Sequence, residues 1–283
     1  MITRPAFILL GTGTSAGIPV IGCDCRVCTS GDPRDARLRT AAAIRYVDAA
    51  GHPRTILIDA SPDLRQQALR HRIDRCDAVI FTHNHVDHTF GLDETRRFNA
   101  LMRSPIDIYA DPHTLEHLHR VYRHIFRKEQ NVNDSFVATL IPHVLDVGMA
   151  QTIHNLRFEP VRLLHGRLPV LGFRIDVVDG AGDVVPDPPA PFPLAYCTDV
   201  SAIPPETWPR LAGLRTLVLD MLRYRSHPTH LTVDEAIGTA EQIAATNTWF
   251  IHMTHEILHA ELDAALPPGM RLGHDGLVLS DES

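Results

Sequence analysis

The 283-residue sequence predicts an α/β fold in which two mixed β-sheets stack on each other and helices cover their outer faces. Two observations carry this prediction. Short apolar segments rich in β-branched and aromatic residues recur along the chain between turn-forming residues, which is typical of strands. The early segments follow one another closely, whereas the later ones alternate with helical patterns. We therefore expect one domain spanning residues 1–283.

Nine segments are predicted to be strands. The first half of the chain supplies AFILL, AAAIRYV, TILIDA, AVIFTH and IDIYA, and the second half supplies LGFRIDVV, LAYCTD, LRTLVLD and TWFIHMTH. Several of these segments end in a histidine or an aspartate. Because functional sites in layered α/β folds are built at strand ends, these positions are the first candidates for a site.

Three helices are indicated by the residues at their starts. SPDLRQQALRH has Ser61 as its predicted N-cap and Pro62 in its first turn. TVDEAIGTAEQIAA begins at Thr232, and Glu235 completes a capping-box pattern. DPHTLEHLHRVYRHIF carries apolar residues at helical spacing, and its histidines are interpreted as solvated or packing residues. The Pro- and Gly-rich segment 179–193 is predicted to be an exposed loop.

Composition restricts the classes of function. The net charge of −7 argues against sequence-independent binding of a polyanion, which needs a basic face, so nucleic acid is not an expected partner. A local basic patch stays possible, for instance around RRFNALMR. No apolar run reaches the roughly 18 residues of a membrane span, and no secretory signal pattern is present. We therefore expect a cytoplasmic protein that does not contact a membrane. A homodimer is compatible with the sequence, which does not determine the oligomeric state.

The segment FTHNHVDH places four metal-ligand side chains within six positions after an apolar run: His83, His85, Asp87 and His88. Alternation along extended backbone puts the first two histidines on one side, while the aspartate and the last histidine follow in a turn into a helix. Two imidazoles for one cation, with a carboxylate and an imidazole for its neighbour, are what a dinuclear hydrolytic site requires. The alternative is a helix start whose histidines only form hydrogen bonds, and four such residues in six positions argue against it.

A second cluster, GCDCRVC, contains Cys23, Cys25 and Cys28. This C-x-C-x-x-C spacing lets three thiolates reach one soft cation, and zinc then requires a fourth ligand. Three buried structural cysteines are the alternative, but the surrounding segment is polar and rich in turn formers. The uneven distribution of the five cysteines does not suit a disulfide framework. The cluster therefore predicts a structural zinc site.

The H-x-H-x-D-H segment resembles the signature of the metallo-β-lactamase superfamily, which implies a four-layer αβ/βα sandwich with a dinuclear metal site along one edge. The resemblance also implies a metal-bound hydroxide as nucleophile, with a pKa lowered towards about 7, and zinc, manganese or iron as the cations. Asp59 is the best candidate for orienting the imidazoles. The implied ligands are His83, His85 and His165 for one cation, Asp87, His88 and His252 for the other, and Asp199 as the bridge.

The cysteine cluster narrows this resemblance. LLGTGTSAGIPVIGCDCRVC followed by RLRTAAAI resembles the branch that contains the phosphoribosyl 1,2-cyclic phosphate phosphodiesterases of bacterial phosphonate breakdown. That branch implies His255 as the fourth ligand of the structural zinc. It also implies that His230 assists catalysis, as a general acid or by stabilising the phosphoryl oxygens. His227 is a near competitor for this role, and Arg39 is a weaker candidate for binding a substrate phosphate.

The function that the resemblance implies is a metal-dependent phosphodiesterase acting on a small cyclic phosphate or a nucleotide-like phosphodiester. Three alternatives stay open. The same centre could hydrolyse a carboxylic ester, lactone or thioester, the chain could process tRNA 3′ ends, or it could be a non-catalytic metal-binding protein of the pyrroloquinoline quinone biosynthesis type. The acidic balance and the lack of a lysine-rich insertion weaken the tRNA alternative, and the complete set of matching ligands weakens the non-catalytic one.

Overall fold

The computed structural model describes residues 1–132 and 135–281, and the strands within these ranges form two seven-stranded sheets. The first sheet consists of β1 (Thr3–Gly11), β2 (Ala41–Val47), β3 (Pro53–Ile58), β4 (Ala78–Ile80), β5 (Ile106–Ala110), β6 (Leu140–Val144) and β14 (Val278–Leu279). Their spatial order is β14-β1-β2-β3-β4-β5-β6. The strands from β3 to β6 run parallel, whereas β1 pairs antiparallel with both of its neighbours, so the sheet is mixed.

The second sheet is formed by the later part of the chain. It consists of β7 (Gln151–Ile153), β8 (Leu156–His165), β9 (Leu168–Val177), β10 (Leu194–Cys197), β11 (Thr216–Asp220), β12 (Asn247–Ile251) and β13 (Met270–Leu272). The spatial order is β13-β12-β11-β10-β9-β8-β7, with parallel pairing from β10 to β13 and antiparallel pairing elsewhere. Each of the nine predicted segments contains a strand, and the sequence analysis missed β6, β7, β8, β13 and β14.

Helices flank the two sheets, as predicted. They are α1 (Leu64–His71), α2 (Val86–Thr89), α3 (Thr95–Met102), α4 (Pro112–Val121), α5 (Arg123–Phe126), α6 (Val233–Ile243) and α7 (His259–Asp263). None of the helices in the described ranges is long and apolar enough to cross a membrane. The segment 179–193 forms neither helix nor strand, which confirms the predicted loop, although its Phe192 is fully buried.

The two predicted helix caps have different outcomes. The cap of α6 is confirmed, because Thr232 Oγ1 accepts a hydrogen bond from Glu235 N while Glu235 Oε2 accepts one from Thr232 N. The predicted cap of α1 is wrong. The helix starts at Leu64, and Ser61 Oγ accepts a hydrogen bond from Asp63 N in a turn that precedes the helix. Asp63 occupies the N-cap position without capping, because its carboxylate binds an arginine that precedes β2.

Apolar side chains fill three layers of core. The inner core lies between the sheets and joins residues such as Ile44 and Ile58 of the first sheet to Phe158, Phe173 and Val218 of the second. Two outer cores lie between each sheet and its helices. Fully burying one such side chain contributes roughly 1.5–3 kcal/mol, so the shared inner core supplies much of the stabilisation that holds the sheets together. This packing brings one edge of each sheet together.

Candidate metal centre

Five polar side chains lie at or just beyond the carboxyl ends of parallel strands in the two sheets. In the first sheet, Asp59 follows β3 directly and His83 lies three residues beyond β4. In the second, Asp220 ends β11, Asp199 lies two residues beyond β10, and His252 follows β12 directly. All five are buried. Because carboxyl ends of parallel strands collect at one edge of a sheet, the fold itself concentrates these groups in one place.

The backbone is strained at three of these positions. Asp59, Asp199 and His252 adopt left-handed conformations, with φ of 64°, 58° and 65°. Such a conformation costs a residue with a side chain on the order of 1–3 kcal/mol and persists only where the surroundings impose it. Strained positions of this kind cluster at functional sites, and these three lie at or just beyond the ends of β3, β10 and β12.

The structure brings together the three histidines predicted to share one cation. The ligand nitrogens of His83, His85 and His165 all lie within 4.8 Å of one another. The ring centroid of His85 is 4.6 Å from that of His83 and 5.0 Å from that of His165. The first two histidines come from the loop after β4 and the third ends β8, so the group joins both sheets.

The second predicted group also converges. Ligand atoms of Asp87, His88 and His252 lie within 4.8 Å of one another. Asp87 Oδ2 is 3.4 Å from His88 Nε2 and 4.0 Å from His252 Nε2. The short helix α2 presents the first two of these residues, and the end of β12 presents the third.

Asp199 lies between the two groups. Its Oδ1 is 3.3 Å from His252 Nε2 and 4.0 Å from His83 Nε2, and its Oδ2 is 3.2 Å from His88 Nε2. Thr198 Oγ1 donates a hydrogen bond to Oδ2 at 2.7 Å. One carboxylate therefore contacts members of both predicted ligand sets, which is the position that a bridging ligand needs.

The donor atoms fit a pair of divalent cations. Among the described residues, four buried ring nitrogens in this cluster have no hydrogen-bond partner: His83 Nε2, His88 Nε2, and both Nδ1 and Nε2 of His252. Buried nitrogens without partners cost free energy, and native proteins rarely leave them so. Imidazoles combined with carboxylates are common ligands of zinc, manganese and iron.

Asp59 orients one of the histidines, in the place that the sequence analysis expected. Its Oδ2 lies 2.7 Å from His88 Nδ1, and its carboxylate accepts hydrogen bonds from the backbone and the hydroxyl of Thr82. Burial disfavours the charged form of His88, but Asp199, Asp59 and Asp87 outweigh it and raise its pKa well above the ordinary value. Burial, together with the neighbouring His88, lowers the pKa of His83 well below that value.

His230, the predicted catalytic histidine, lies inside the same cluster. Its ring stacks on His252 at 4.7 Å and lies 4.5 Å from the ring of His165. Burial lowers its pKa. His227 is more exposed, lies 5.3 Å from His230 between ring centroids, and contacts Thr229 through its Nδ1. The geometry therefore favours His230 over its competitor, although its catalytic role stays a prediction.

The sequence analysis missed Asp220. His230 Nδ1 and Asp220 Oδ1 are 3.0 Å apart, and the same carboxylate accepts hydrogen bonds from the backbone amides of Leu231 and Asp199. It also lies 3.6 Å from Nδ1 of His252. The available signal was an aspartate at the end of an apolar strand, the pattern that singled out Asp59.

The cysteine cluster forms a separate site with the predicted fourth ligand. The sulfurs of Cys23, Cys25 and Cys28 lie 3.2, 3.4 and 3.7 Å from His255 Nδ1. All four ligand atoms are within 4.8 Å of one another, and the side chains are partly exposed. The amide of Cys28, which donates to the sulfur, is the main cause that lowers the pKa of Cys25 to about 6. Three thiols and one imidazole at these distances suit a structural zinc ion.

The fully buried Arg37 holds the backbone on both sides of His255. Arg37 donates hydrogen bonds to the carbonyl oxygens of Thr254 and Ile257 and pairs with Asp35 at 3.2 Å. The neighbouring Arg39 contacts Asp63 and the carbonyl oxygen of a residue in the loop after β1. Neither guanidinium contacts the histidine cluster, and the binding of a substrate phosphate by Arg39 stays a prediction.

Comparisons with known proteins agree with this geometry. Residues 54–253 match the family described as "Beta-lactamase superfamily domain". The crystal structure of a diphosphatase from the PhnP family superposes with a TM-score of 0.83 at 36% identity, covering 98% of this chain and 97% of that one. Coenzyme PQQ synthesis protein B of Methylobacterium sp. (strain 4-46) is 25% identical and covers 96% of this chain and 99% of its own length.

A further relative differs in length. The octanoyltransferase of Porphyromonas gingivalis (strain ATCC BAA-308 / W83) is 39% identical over 274 residues, which cover 95% of this chain and 50% of that protein. The chain thus spans about half the length of this relative.

Proposed function

The chain belongs to the beta-lactamase superfamily, and from this membership we propose that it is a metal-dependent phosphodiesterase for a small cyclic phosphate or a nucleotide-like phosphodiester. The observation that carries the proposal is the convergence of seven candidate ligand side chains, three of which have buried ring nitrogens without hydrogen-bond partners. The 36% identity with a PhnP-family diphosphatase over nearly the whole chain supports a phosphorus-containing substrate.

We assign the two ligand groups described above to two divalent cations, with Asp199 between them, and the cysteine site to one zinc ion. Bound divalent cations would polarise a phosphoryl oxygen and make water acidic enough to attack at neutral pH. The residues of the chain supply the geometry. Asp59 fixes the ring of His88 through its Nδ1, and the carbonyl oxygen of Thr229 does the same for His165.

His230 is assigned the proton transfer to the leaving oxygen. Its Nδ1 is held by Asp220, so its Nε2 is the nitrogen available for a substrate. Burial lowers the pKa of this imidazole and the carboxylates of Asp199 and Asp87 raise it, and a bound anionic phosphate would further favour the protonated ring that a general acid needs. Asp220 sets the orientation of this ring and contacts no predicted reacting atom, so we regard it as a positioning residue.

A substrate screen tests the proposal. Cyclic ribose phosphates, 2′,3′-cyclic nucleotides, a nucleoside diphosphate and bis(p-nitrophenyl) phosphate would each be incubated with the protein in Mn²⁺ and in Zn²⁺. We expect turnover of at least one phosphodiester that is lost in Asp87→Ala and His165→Ala. If metal-loaded protein cleaves none of the phosphate compounds, in Mn²⁺ or in Zn²⁺, the phosphodiesterase proposal is refuted. Turnover of any substrate would exclude the non-catalytic alternative.

The relative named octanoyltransferase supports a second candidate, hydrolysis of an acyl ester or thioester by the same centre. An octanoyl thioester and p-nitrophenyl octanoate are the corresponding substrates. His230→Ala separates the candidates. We expect it to abolish cleavage of a cyclic ribose phosphate, whose alkoxide leaving group needs a proton, and to spare cleavage of the activated p-nitrophenyl ester.

A further inference from the structure

A long groove lies on the outer face of the first sheet. It consists of two adjoining cavities of about 860 and 430 Å³ that share Asp74 and Leu101 in their walls. The larger one reaches the start of β3, and the smaller one runs between α1 and α3. Since the predicted metal ligands follow the carboxyl ends of the parallel strands, the groove is at the opposite end of the sheet.

Unpaired positive charge lines this groove. Five exposed arginines point into it, and within the described ranges none of them forms an ion pair: Arg4, Arg45, Arg65, Arg72 and Arg97. Two further arginines, Arg54 and Arg75, are held by buried aspartates. Asp74 and Glu94 are the acidic residues that line it. A local excess of positive charge on a chain with a net charge of −7 points to an anionic partner.

Apolar side chains lie among these arginines. Leu69 is 64% exposed, Leu101 is 49% exposed and Val278 is 41% exposed. Single exposed apolar side chains are ordinary, but three of them in one groove are typical of a protein-binding surface. Phosphate groups and sugars would leave these three apolar side chains exposed to water, whereas the apolar stripe of an amphipathic helix would cover them.

We propose that this arginine groove, defined by the five exposed arginines with Leu69, Leu101 and Val278, binds an acidic amphipathic helix of a partner protein. The leucines of such a helix would pack on the groove floor. Its glutamates and aspartates would pair with the arginines on both walls. Charge complementarity of this kind increases the association rate and selects the orientation of the partner. The proposal is independent of the reaction catalysed, because the groove contains none of the predicted site residues.

A binding experiment tests this proposal. The probe is a fluorescein-labelled peptide of about 18 residues, long enough to form a helix, with leucines at helical spacing and glutamates elsewhere. Fluorescence anisotropy would compare the full-length wild type with Arg65→Glu/Arg97→Glu and with Leu101→Ser. The matched control is Arg120→Glu/Arg127→Glu, which reverses two exposed arginines outside the groove. Circular dichroism of each variant verifies its folding, and a labelled single-stranded RNA serves as the competing ligand.

We expect the groove charge reversal to weaken peptide binding at least tenfold, Leu101→Ser to weaken it less, and the control to bind like the wild type. Added salt should weaken binding, and a peptide of the same composition with a shuffled apolar stripe should bind poorly. Equal binding by the wild type and the groove variants, or no binding to the wild type, would overturn the proposal. Tighter binding of the RNA through the same arginines would also overturn it and assign the groove to nucleic acid.

Discussion

Asp220 accepts hydrogen bonds from His230 and from the amide of Asp199, and it lies 3.6 Å from His252. One buried carboxylate thus contacts three residues of the candidate centre. Partners of this kind fix the ring orientation and tautomer of a histidine, and their loss costs roughly 10–100-fold in activity. The side chain keeps its shape in Asp220→Asn, but one of its two oxygen acceptors becomes an amide donor.

We expect Asp220→Asn to lower kcat about 10–100-fold with little change in KM, and to add little to the effect of His230→Ala. Steady-state kinetics on the best substrate of the screen would measure both. Asp234→Asn, at an exposed position in α6, is the control. Additive losses in the double variant would show that Asp220 does not act through His230.

A second buried carboxylate, that of Asp275, should make the stability of the fold depend on pH. Burial raises the pKa of Asp275 to about 6 from an ordinary value of 3.8. Its side chain is 3% exposed and accepts hydrogen bonds from Thr12 and Leu38. Between these two pKa values the folded state binds one proton more than the unfolded state, so the free energy of unfolding falls as the pH rises through this window.

Replacing Asp275 with Asn should remove this contribution. From pH 4 to pH 7 we expect the stability of the wild type to fall by about 2 kcal/mol relative to Asp275→Asn, because this range covers most of the pKa shift. Urea unfolding at several pH values measures the difference. Parallel pH profiles for the two proteins would contradict the assignment.

Local sequence was sufficient to single out four of the candidate ligand residues, because His83, His85, Asp87 and His88 share one segment. His165, Asp199 and His252 lie in separate segments among 18 histidines and many aspartates, and only a family resemblance singled them out. Asp220 ends an apolar strand, as a site residue would, but its sequence position does not show its contacts with His230, Asp199 and His252, which depend on the fold.

At the scale of elements, the loop containing Cys23, Cys25 and Cys28 is attached to the segment after β12 through His255. A structural metal contributes folding free energy directly, because the unfolded chain holds no preformed site. The loop is also held by an ion pair between Arg26 and Glu261 and by the buried side chain of Val27. The zinc ion that we assign here would therefore hold the loop against the second sheet.

Cys25→Ser tests this attachment. We expect the variant to bind one zinc ion less per chain and to melt at a lower temperature, with a smaller effect on kcat. Metal analysis and differential scanning calorimetry supply the measurements. Cys76→Ala, at a buried cysteine away from the cluster, should keep all its metal. A loss of turnover with unchanged melting would assign the cysteines to catalysis instead.

Strand prediction succeeded where apolar residues dominate and failed where buried charges pair. The ten-residue strand β8 was missed because it contains Arg157, Glu159 and a proline. Glu159 is only 7% exposed, and its carboxylate pairs with Arg157 and with an arginine beyond the strand, while Asp176 of the neighbouring strand binds Arg157 as well. These ion pairs cannot be recognised from the sequence, because they depend on which strands are neighbours in the sheet. The shortest edge strands, β7, β13 and β14, have two or three residues each and are too short to show a period.

At the scale of the molecule, the two sheets share one inner core, and the candidate centre takes ligands from both. We propose that residues 1–283 form a single domain. Heating should then produce one transition, with a calorimetric enthalpy equal to the van't Hoff enthalpy. Two separated transitions would instead indicate that the halves unfold independently.

Metal content is the second measurement on the whole molecule. We expect about three divalent ions per chain, two in the histidine cluster and one in the cysteine site. Mild chelation should remove the first two ions and abolish turnover, and added Mn²⁺ or Zn²⁺ should restore it. Finding one ion per chain in protein saturated with metal would contradict the two-cation assignment.

The candidate metal centre and the cysteine site share one short segment, which carries both His252 and His255. Only Met253 and Thr254 separate the two histidines, and the amides of these two residues donate to the carbonyl oxygens of Thr12 and Leu222. The hydrogen bonds of these two residues therefore fix the separation between the two histidines. Adding or deleting one amino acid there would shift one imidazole out of reach of its partners. Substitutions meant to change the metal preference of either site should therefore be made at its other ligands, and residues 252–255 should keep their length.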